Sequence, residues 1–170
     1  PNVLPERDAK LIKYLAKHNH ISPFGHAFAS FHVKAPIFVA RQLVKHKFLR
    51  WNEISRRYVD DEPEFYKPEV WRGRSADKKQ GSEGVVDISK VDCEGEIREI
   101  GLCYSKLSTA LDLLELDTLS AYDALILAGV APEQARMVLP TSQMTEFYWS
   151  GSLDAFASMC KLRLKEDTQY

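Results

Sequence analysis

Apolar residues recur at helical spacing in several stretches of this chain. Residues 6–18 predict a short amphipathic helix, and a second helix is expected to begin at Pro36, since proline suits the first helical turn. The apolar stripe of this second helix is predicted at Ile37, Ala40, Val44 and Phe48. Residues 89–128 predict one long helix of about 40 residues, with Gly129 as its left-handed cap. Pro132 then opens a short helix, and Ser152 is a candidate N-cap for the last helix.

Two other stretches have the character of strands. Residues 26–34 alternate between apolar and polar positions, and residues 143–149 are rich in aromatics and threonine. Residues 59–84 carry prolines, glycines and a polar run, which predict a loop. Helices dominate and the strands are few, so the predicted class is α+β, with an antiparallel sheet, packed helices and one long helix.

Length and composition narrow the possibilities. At 170 residues the chain suits a single domain, and a net charge of −1 excludes a globally basic nucleic-acid binder. Cys93, Cys103 and Cys160 are odd in number and widely spaced, which argues against a disulfide framework or a zinc site. The sequence has neither a long apolar run nor a signal pattern, so the expected compartment is the cytoplasm. Because the chain begins at Pro1, the possibility that a leader segment has been removed stays open.

One segment concentrates the polar chemistry. Residues 41–57 contain six cations, two amides, a carboxylate, a hydroxyl and an imidazole: Arg41, Lys45, Lys47, Arg50, Arg56, Arg57, Gln42, Asn52, Glu53, Ser55 and His46. This inventory suits an anionic, planar ligand such as a nucleotide. Two alternatives stay open: a solvated charged surface, or a module that binds nucleic acid through these cations and Trp51.

The order of these residues resembles a known family. Lys45, His46 and Lys47, followed by seven residues and Ser55, resemble the RHR-to-serine signature of flavin-dependent thymidylate synthases. Residues 18–26 (HNHISPFGH), 31–42 (FHVKAPIFVARQ), 135–140 (ARMVLP) and 145–149 (TEFYW) resemble other blocks of that family in the same order. The resemblance covers nearly the whole chain. It implies that family's fold for a single catalytic domain over residues 1–170, expected to be a fragment without the family's N-terminal strand and C-terminal helix.

The resemblance also implies an activity. Members of the family methylate dUMP to dTMP, taking the carbon unit from methylene-tetrahydrofolate and reducing equivalents from NADPH through FAD. The expected assembly is a homotetramer with active sites where subunits meet, and neither a membrane nor a nucleic acid is an expected partner. No metal is expected, because His18 and His20 lack spaced third and fourth ligands.

Site residues follow from the motif matches. The implied dUMP contacts are Gln42, Lys45, Glu53, Ser55, Arg56, Arg57, Arg136 and Arg163, with Arg57 and Arg136 on the phosphate. The implied FAD contacts are Ser22, Lys45, His46, Lys47, Glu53, Ser152, Asp154 and Ser158. Arg163 is the implied catalytic residue, because a guanidinium beside the pyrimidine stabilises negative charge and activates carbon five without a protein nucleophile. By its position alone, without the resemblance, Arg163 is interpreted first as a helix C-terminal cation that interacts with the helix dipole.

Several positions depart from the family's pattern. Lys45 and Lys47 replace two arginines, which keeps the charge and removes the bidentate fork. Gly25 stands where a glutamate is common, and Ser152 and Asp154 stand where the family has asparagine and arginine. These departures put the adenine side of the FAD site in question. A homologue that binds dUMP without turnover is therefore a third hypothesis.

Overall fold

The computed structural model describes residues 3–55, 57–58, 61–77, 82–97 and 102–165. In chain order, the helices are α1 (Glu6–Lys17), α2 (Ser22–Gly25), α3 (Ile37–Leu43), α4 (Leu107–Leu127), α5 (Pro132–Ala135) and α6 (Leu153–Arg163). The strands are β1 (Phe28–Pro36), β2 (Arg50–Glu53), β3 (Trp71–Arg74), β4 (Ser82–Val86), β5 (Asp92–Ile97), β6 (Leu102–Lys106) and β7 (Met144–Ser152). Short 3₁₀ turns cover Ile88–Lys90 and Arg136–Val138. The mixture of helices and antiparallel strands confirms the predicted α+β class, and α4 is its one long helix at 21 residues.

A three-stranded antiparallel sheet in the order β1, β7, β2 forms the centre of the fold. Phe28 of β1 lies opposite Ser152 of β7, and Trp51 of β2 lies opposite Trp149. Because side chains alternate between the faces of a strand, this register assigns Trp149, Phe147 and Trp51 to one face. The helices α3 and α6 cover that face, and the core consists of Ala35, Ala40, Leu49, Phe147, Trp149 and Ala155.

Close packing of this core explains one glycine. A Cβ atom on Gly151 would lie 2.6 Å from Cδ2 of Leu49, inside the distance that real Cβ atoms keep. Gly151 therefore allows the turn before β2 to approach β7, and it lets Leu49 reach the core at 6% exposure. This approach sets the position of β2, and β2 carries Glu53.

The predicted helix over residues 89–128 is wrong in its first part. The described residues before α4 instead form the 3₁₀ turn Ile88–Lys90 and the paired antiparallel strands β5 and β6, and α4 begins at Leu107. Gly95 lies within β5 and disfavours a helix there by about 1 kcal/mol relative to alanine. A second antiparallel pair of strands, β3 with β4, begins inside the predicted loop over residues 59–84 and extends to Val86. Both strand pairs depend on backbone pairing, which the side-chain pattern does not display.

The second predicted helix is shorter than expected. Helix α3 ends at Leu43, and the predicted stripe is wrong at Val44 and Phe48, which are 48% and 82% exposed. Pro36 is the last residue of β1 and the residue before the helix, and β1 begins two residues later than predicted. The chain then turns into β2, which was not predicted because its four residues are defined by pairing with β7, far away in sequence.

Other predictions about the elements are confirmed. Helix α1 and the helix opened by Pro132 form where expected, and Gly129 has the positive φ of 82° that a left-handed cap requires. Helix α6 follows Ser152, although the side chain of Ser152 makes no capping hydrogen bond. None of the helices in the described part of the chain is both long and apolar enough to cross a membrane.

Candidate functional site

A cavity of about 570 Å³, here called the first cavity, lies where β2 and β7 meet α3 and α5. Its lining consists of Ile37, Arg41, Glu53, Ile54, Glu133, Arg136, Met137, Leu139, Pro140, Thr141, Gln143 and Thr145. Two guanidinium groups and two carboxylates are thus among the groups at one concave surface. A volume of this size lies within the roughly 300–1,000 Å³ typical of small-molecule sites.

Glu53 is the most firmly held of the charged side chains in the first cavity. The hydroxyl of Thr145 donates to its Oε1 at 2.6 Å, and the indole N–H of Trp51 donates to its Oε2 at 3.0 Å. Both partners are hydrogen-bond donors, and each of the two carboxylate oxygens accepts from one of them. Glu53 therefore presents a fixed negative acceptor at the cavity wall.

Arg136 is distant from Glu53 in sequence and lines the same cavity. It follows α5 directly, and its Nε donates to the backbone carbonyl of Glu133 at 3.2 Å. This bond ties the stem of the side chain to its own turn. Guanidinium groups such as those of Arg136 and Arg41 bind phosphate through paired N–H donors, so this cavity can accept an anionic ligand.

Arg163 lies elsewhere, at the end of α6. Its Nε donates to Nε2 of His46 at 3.3 Å, and its Nη2 donates to the backbone carbonyl of Gln42 at 2.9 Å, at the end of α3. Burial lowers the pKa of His46, and the positive charge of Arg163 lowers it further. A neutral imidazole can accept at Nε2, so the lowered pKa and the hydrogen bond agree.

The segment after β2 holds two more dUMP candidates. The Nε of Arg57 donates to Oγ of Ser55 at 3.0 Å, and its guanidinium carbon lies 5.2 Å from the centre of the Tyr58 ring. Arg56 lies outside the described residues. Among the described dUMP candidates, Glu53 and Arg136 line the first cavity, while Gln42 and Arg163 meet at the junction of α3 and α6. One chain thus gathers these candidates at two places.

A second cavity of about 220 Å³ lies between the end of α1 and the outer face of α6. It is lined by Leu15, Ala16, Asn19, His20, Ile21, Phe24, Leu153, Asp154, Ala157, Ser158 and Lys161. Two FAD candidates, Asp154 and Ser158, thus share it. The Oδ1 atom of Asp154 is buried and has no hydrogen-bond partner among the described residues, so it can accept from a ligand N–H or O–H. Apolar walls with such polar groups fit a planar ring that carries donors.

The other FAD candidates lie at or next to the ends of helices and strands. Ser22 begins α2 and is exposed, as are Lys45 and Lys47 after α3. Ser152 ends β7 immediately before α6. No cluster of three or more His, Cys, Asp or Glu side chains suited to a metal ion occurs among the described residues.

Some site residues were missed by sequence reasoning. Thr145, Glu133 and Arg41 line the first cavity, yet the motifs singled out none of them as a contact. Trp51 was considered only as a stacking surface for nucleic acid. Its ring stacks on Phe147 with centroids 3.5 Å apart, so one face of the indole is occupied within the chain. The alternation Trp51, Asn52, Glu53 was the available signal, since it assigns the indole and the carboxylate to the same face of a strand.

The central antiparallel sheet, covered on one face by helices and accompanied by two cavities, defines this chain as an α+β domain with a candidate ligand site. A family model described as "Thymidylate synthase complementing protein" matches residues 2–170. The chain therefore belongs to this family, whose curated relatives are named flavin-dependent thymidylate synthase, and the resemblance found in its motifs is confirmed.

Three similar proteins give the extent of the match. A flavin-dependent thymidylate synthase of Thermus thermophilus is 42% identical over 163 residues, which cover 96% of this chain and 54% of the relative. The Kosmotoga olearia enzyme of that name is 44% identical, covering 98% of this chain and 66% of its own length. A crystal structure of the UMP/dUMP methylase PolB from Streptomyces cacaoi, bound with 5-Br UMP, aligns with a TM-score of 0.73 and 27% identity, covering 95% of this chain and 67% of that one. This chain thus spans about half to two thirds of the curated relatives' length.

Proposed function

We propose that the protein carrying this chain is an FAD-dependent thymidylate synthase, which methylates dUMP to dTMP. The carbon donor is methylene-tetrahydrofolate and the reductant is NADPH. The observation that carries the proposal is the first cavity, because Glu53 and Arg136, predicted as dUMP contacts from widely separated motifs, both line it. A UMP/dUMP methylase among the similar structures supports the same substrate.

The proposed roles in dUMP binding follow from charge. Arg136 binds the phosphate through its guanidinium, and Arg57 is the second proposed phosphate contact. Glu53 accepts a hydrogen bond from a donor group of the nucleoside, because its two protein partners are both donors and leave acceptor capacity on each oxygen. Gln42, Lys45, Ser55 and Arg56 complete the proposed set of dUMP contacts.

Arg163 is the proposed catalytic residue. A guanidinium beside the uracil ring stabilises negative charge on the pyrimidine, and the resulting electron density at carbon five allows attack on the activated methylene group. No protein nucleophile is needed in this scheme. The hydrogen bonds of Arg163 to His46 and to the carbonyl of Gln42 support this role, because a charge held in place before the reaction stabilises the transition state best.

FAD is proposed to contact both ends of α6. Asp154 and Ser158 would hold one part of it in the second cavity, while His46, Lys45 and Lys47 would hold another. Asp154 and Arg163 are nine residues apart, or roughly 14 Å along the helix axis, so a ligand that reaches both must be elongated, as a dinucleotide is. When bound, FAD supplies the reducing equivalents that originate from NADPH. Ser22, Glu53 and Ser152 are the remaining proposed contacts.

A homotetramer in the cytoplasm, without membrane or nucleic-acid partners, is the proposed working form. Helix α4 supports association, since Leu114, Leu116 and Leu127 on it are 56%, 59% and 88% exposed. Apolar exposure of this extent on one helix favours burial against another chain. Assembly would also explain why the dUMP candidates lie at two places in one chain.

The test is turnover by the full-length protein. Tritium release from [5-³H]dUMP and formation of dTMP are measured with and without FAD, methylene-tetrahydrofolate and NADPH. The expected result is release that requires all three. Arg136→Ala is expected to weaken dUMP binding, whereas Arg74→Ala on β3 serves as the matched control. Binding of dUMP without tritium release would overturn the proposal in favour of a homologue that has lost turnover.

A further inference from the structure

The pairing of β2 with β7 brings three side chains together beside the first cavity. Trp51 and Glu53 alternate along β2 and therefore share one face of the sheet. Glu53 lies opposite Phe147, and Thr145 is two residues before Phe147 in β7, at the diagonal position on the same face. The register alone thus places an indole, a carboxylate and a hydroxyl within reach of one another.

Each oxygen of the Glu53 carboxylate accepts one hydrogen bond from the protein. Trp51 donates to Oε2 of Glu53 at 3.0 Å, and Thr145 donates to Oε1 at 2.6 Å. One donor on each oxygen restrains rotation of the carboxylate about its last torsion. Each oxygen of an ionised carboxylate has about two lone-pair sites, so each keeps a site for a ligand.

The two donors are themselves anchored. Thr145 is only 7% exposed, and Phe147, on which the Trp51 ring is stacked, is 1% exposed. Neither donor can turn away without disturbing the core. The packed core of the sheet thereby holds the Glu53 carboxylate in place at the cavity wall.

We propose that Trp51 and Thr145 are positioning residues for substrate binding, which hold the Glu53 carboxylate toward the first cavity as an acceptor for a donor group of the nucleotide. This inference rests on the proposed function of that cavity as the dUMP site. Hydrogen-bond acceptors recognise a ligand well only when they are held close to the productive geometry. Removing either donor leaves the carboxylate in place but frees its orientation.

The test measures dUMP dissociation constants and steady-state kinetics on full-length protein. Trp51→Phe keeps a ring to stack on Phe147 and removes the N–H, while Thr145→Val keeps the shape and removes the hydroxyl. Each variant is expected to bind dUMP roughly three- to tenfold more weakly, as for loss of one hydrogen bond to a charged group that is partly exposed. KM for dUMP should rise by a similar factor with kcat within about twofold, because the interaction is the same in the ground and transition states.

A double-mutant cycle separates positioning from packing. In a Glu53→Ala background, Trp51→Phe and Thr145→Val should have no further effect on dUMP binding, since the group they orient is gone. Thr145→Ser retains the hydroxyl and is expected to restore binding. Trp71→Phe on β3 and Thr118→Val on α4 are the matched controls, whose dUMP affinity should equal that of the wild type.

The outcomes are distinguishable. Wild-type affinity in Trp51→Phe and Thr145→Val, or an unchanged penalty in the Glu53→Ala background, overturns the inference and leaves the proposed function intact. A wild-type protein that does not bind dUMP overturns both. If Trp51→Phe fails to fold, as judged by circular dichroism, the comparison of Thr145→Val with Thr145→Ser decides the question.

Discussion

The charged residues at the two ends of α6 differ in their hydrogen bonding. At the C-terminal end, Arg163 donates to His46 and to the carbonyl of Gln42, so the chain itself orients the guanidinium. At the N-terminal end, Asp154 has a buried Oδ1 atom beside the second cavity, and no group in the described part of the chain forms a hydrogen bond with it. A satisfied charge is organised in advance, whereas an unsatisfied one gains free energy only when a donor arrives. Under the proposed function, the C-terminal end is therefore expected to act in catalysis and the N-terminal end in ligand binding.

The strongest test of this contrast is Arg163→Ala. It is expected to lower kcat by about 10²–10³-fold, because it removes a preorganised charge that stabilises the transition state. The dissociation constant for dUMP should change far less, and Arg163→Lys should be intermediate because it keeps the charge and loses the planar fork. Separate measurement of kcat and of dUMP affinity checks this. A loss explained entirely by weaker dUMP binding would remove the catalytic role.

The second test concerns the N-terminal end. Asp154→Ala is expected to raise the stability of the ligand-free protein by about 1 kcal/mol, because a buried polar atom without a partner is removed. The same variant should show a smaller increase of Tm on adding FAD, since binding to the native state alone is what raises Tm. Thermal unfolding with and without FAD measures both effects.

Ser158→Ala is the matched control for that test, since Ser158 lines the same cavity but is exposed. Its ligand-free stability should stay within about 0.5 kcal/mol of the wild type. If Asp154→Ala were less stable than the wild type without FAD, the contrast between the two ends of α6 would be lost.

The smallest expected effect is a pH dependence at the C-terminal end. The pKa of His46 is lowered in the folded chain, so the unfolded chain binds more protons once the pH falls below the ordinary value of 6.5. The stability associated with the neutral imidazole is present above pH 6.5 and is lost as the pH falls through the lowered folded-state pKa. Protonation also removes the acceptor that Nε2 offers to Arg163.

Thermal unfolding between about pH 5 and pH 8 measures this dependence. His46→Gln cannot titrate in that range, so its Tm should decline less on acidification below the ordinary histidine pKa than that of the wild type. Comparison with His32→Gln, which removes an exposed histidine on the uncovered face of the sheet, corrects for general effects of substitution. Parallel profiles for wild type and His46→Gln would show that the imidazole is not the titrating group.

Whether an element of the fold could be predicted from the sequence depends on what defines that element. Helix α1, the cap at Gly129 and strand β7 follow from local periodicity or from a backbone requirement, and the sequence displays both. The paired strands β5 and β6 and strand β2 depend on pairing between backbones, so their side chains suggested a helix or no element at all. The predicted end of α3 is wrong for the same reason.

The same distinction applies to the residues of the candidate site. Motif order grouped Glu53 with Arg136, and both line the first cavity. It did not single out Thr145, which supports Glu53 from a different strand, because no spacing along the chain expresses a diagonal contact across two strands. The hydrogen bond between Arg163 and His46 also required the structure, since it joins the ends of two helices that are distant in sequence.

The close contact between Gly151 and Leu49 has a consequence for insertions and deletions. Strand β2 enters the sheet directly after Leu49, with no spare residue between the anchored side chain and the first paired position, Arg50. Losing one residue from β2 itself would exchange the two sides of everything that follows it in the strand. Glu53 would then point to the uncovered side of the sheet, away from Arg136, so relatives that keep both residues are expected to keep the length of this short stretch unchanged.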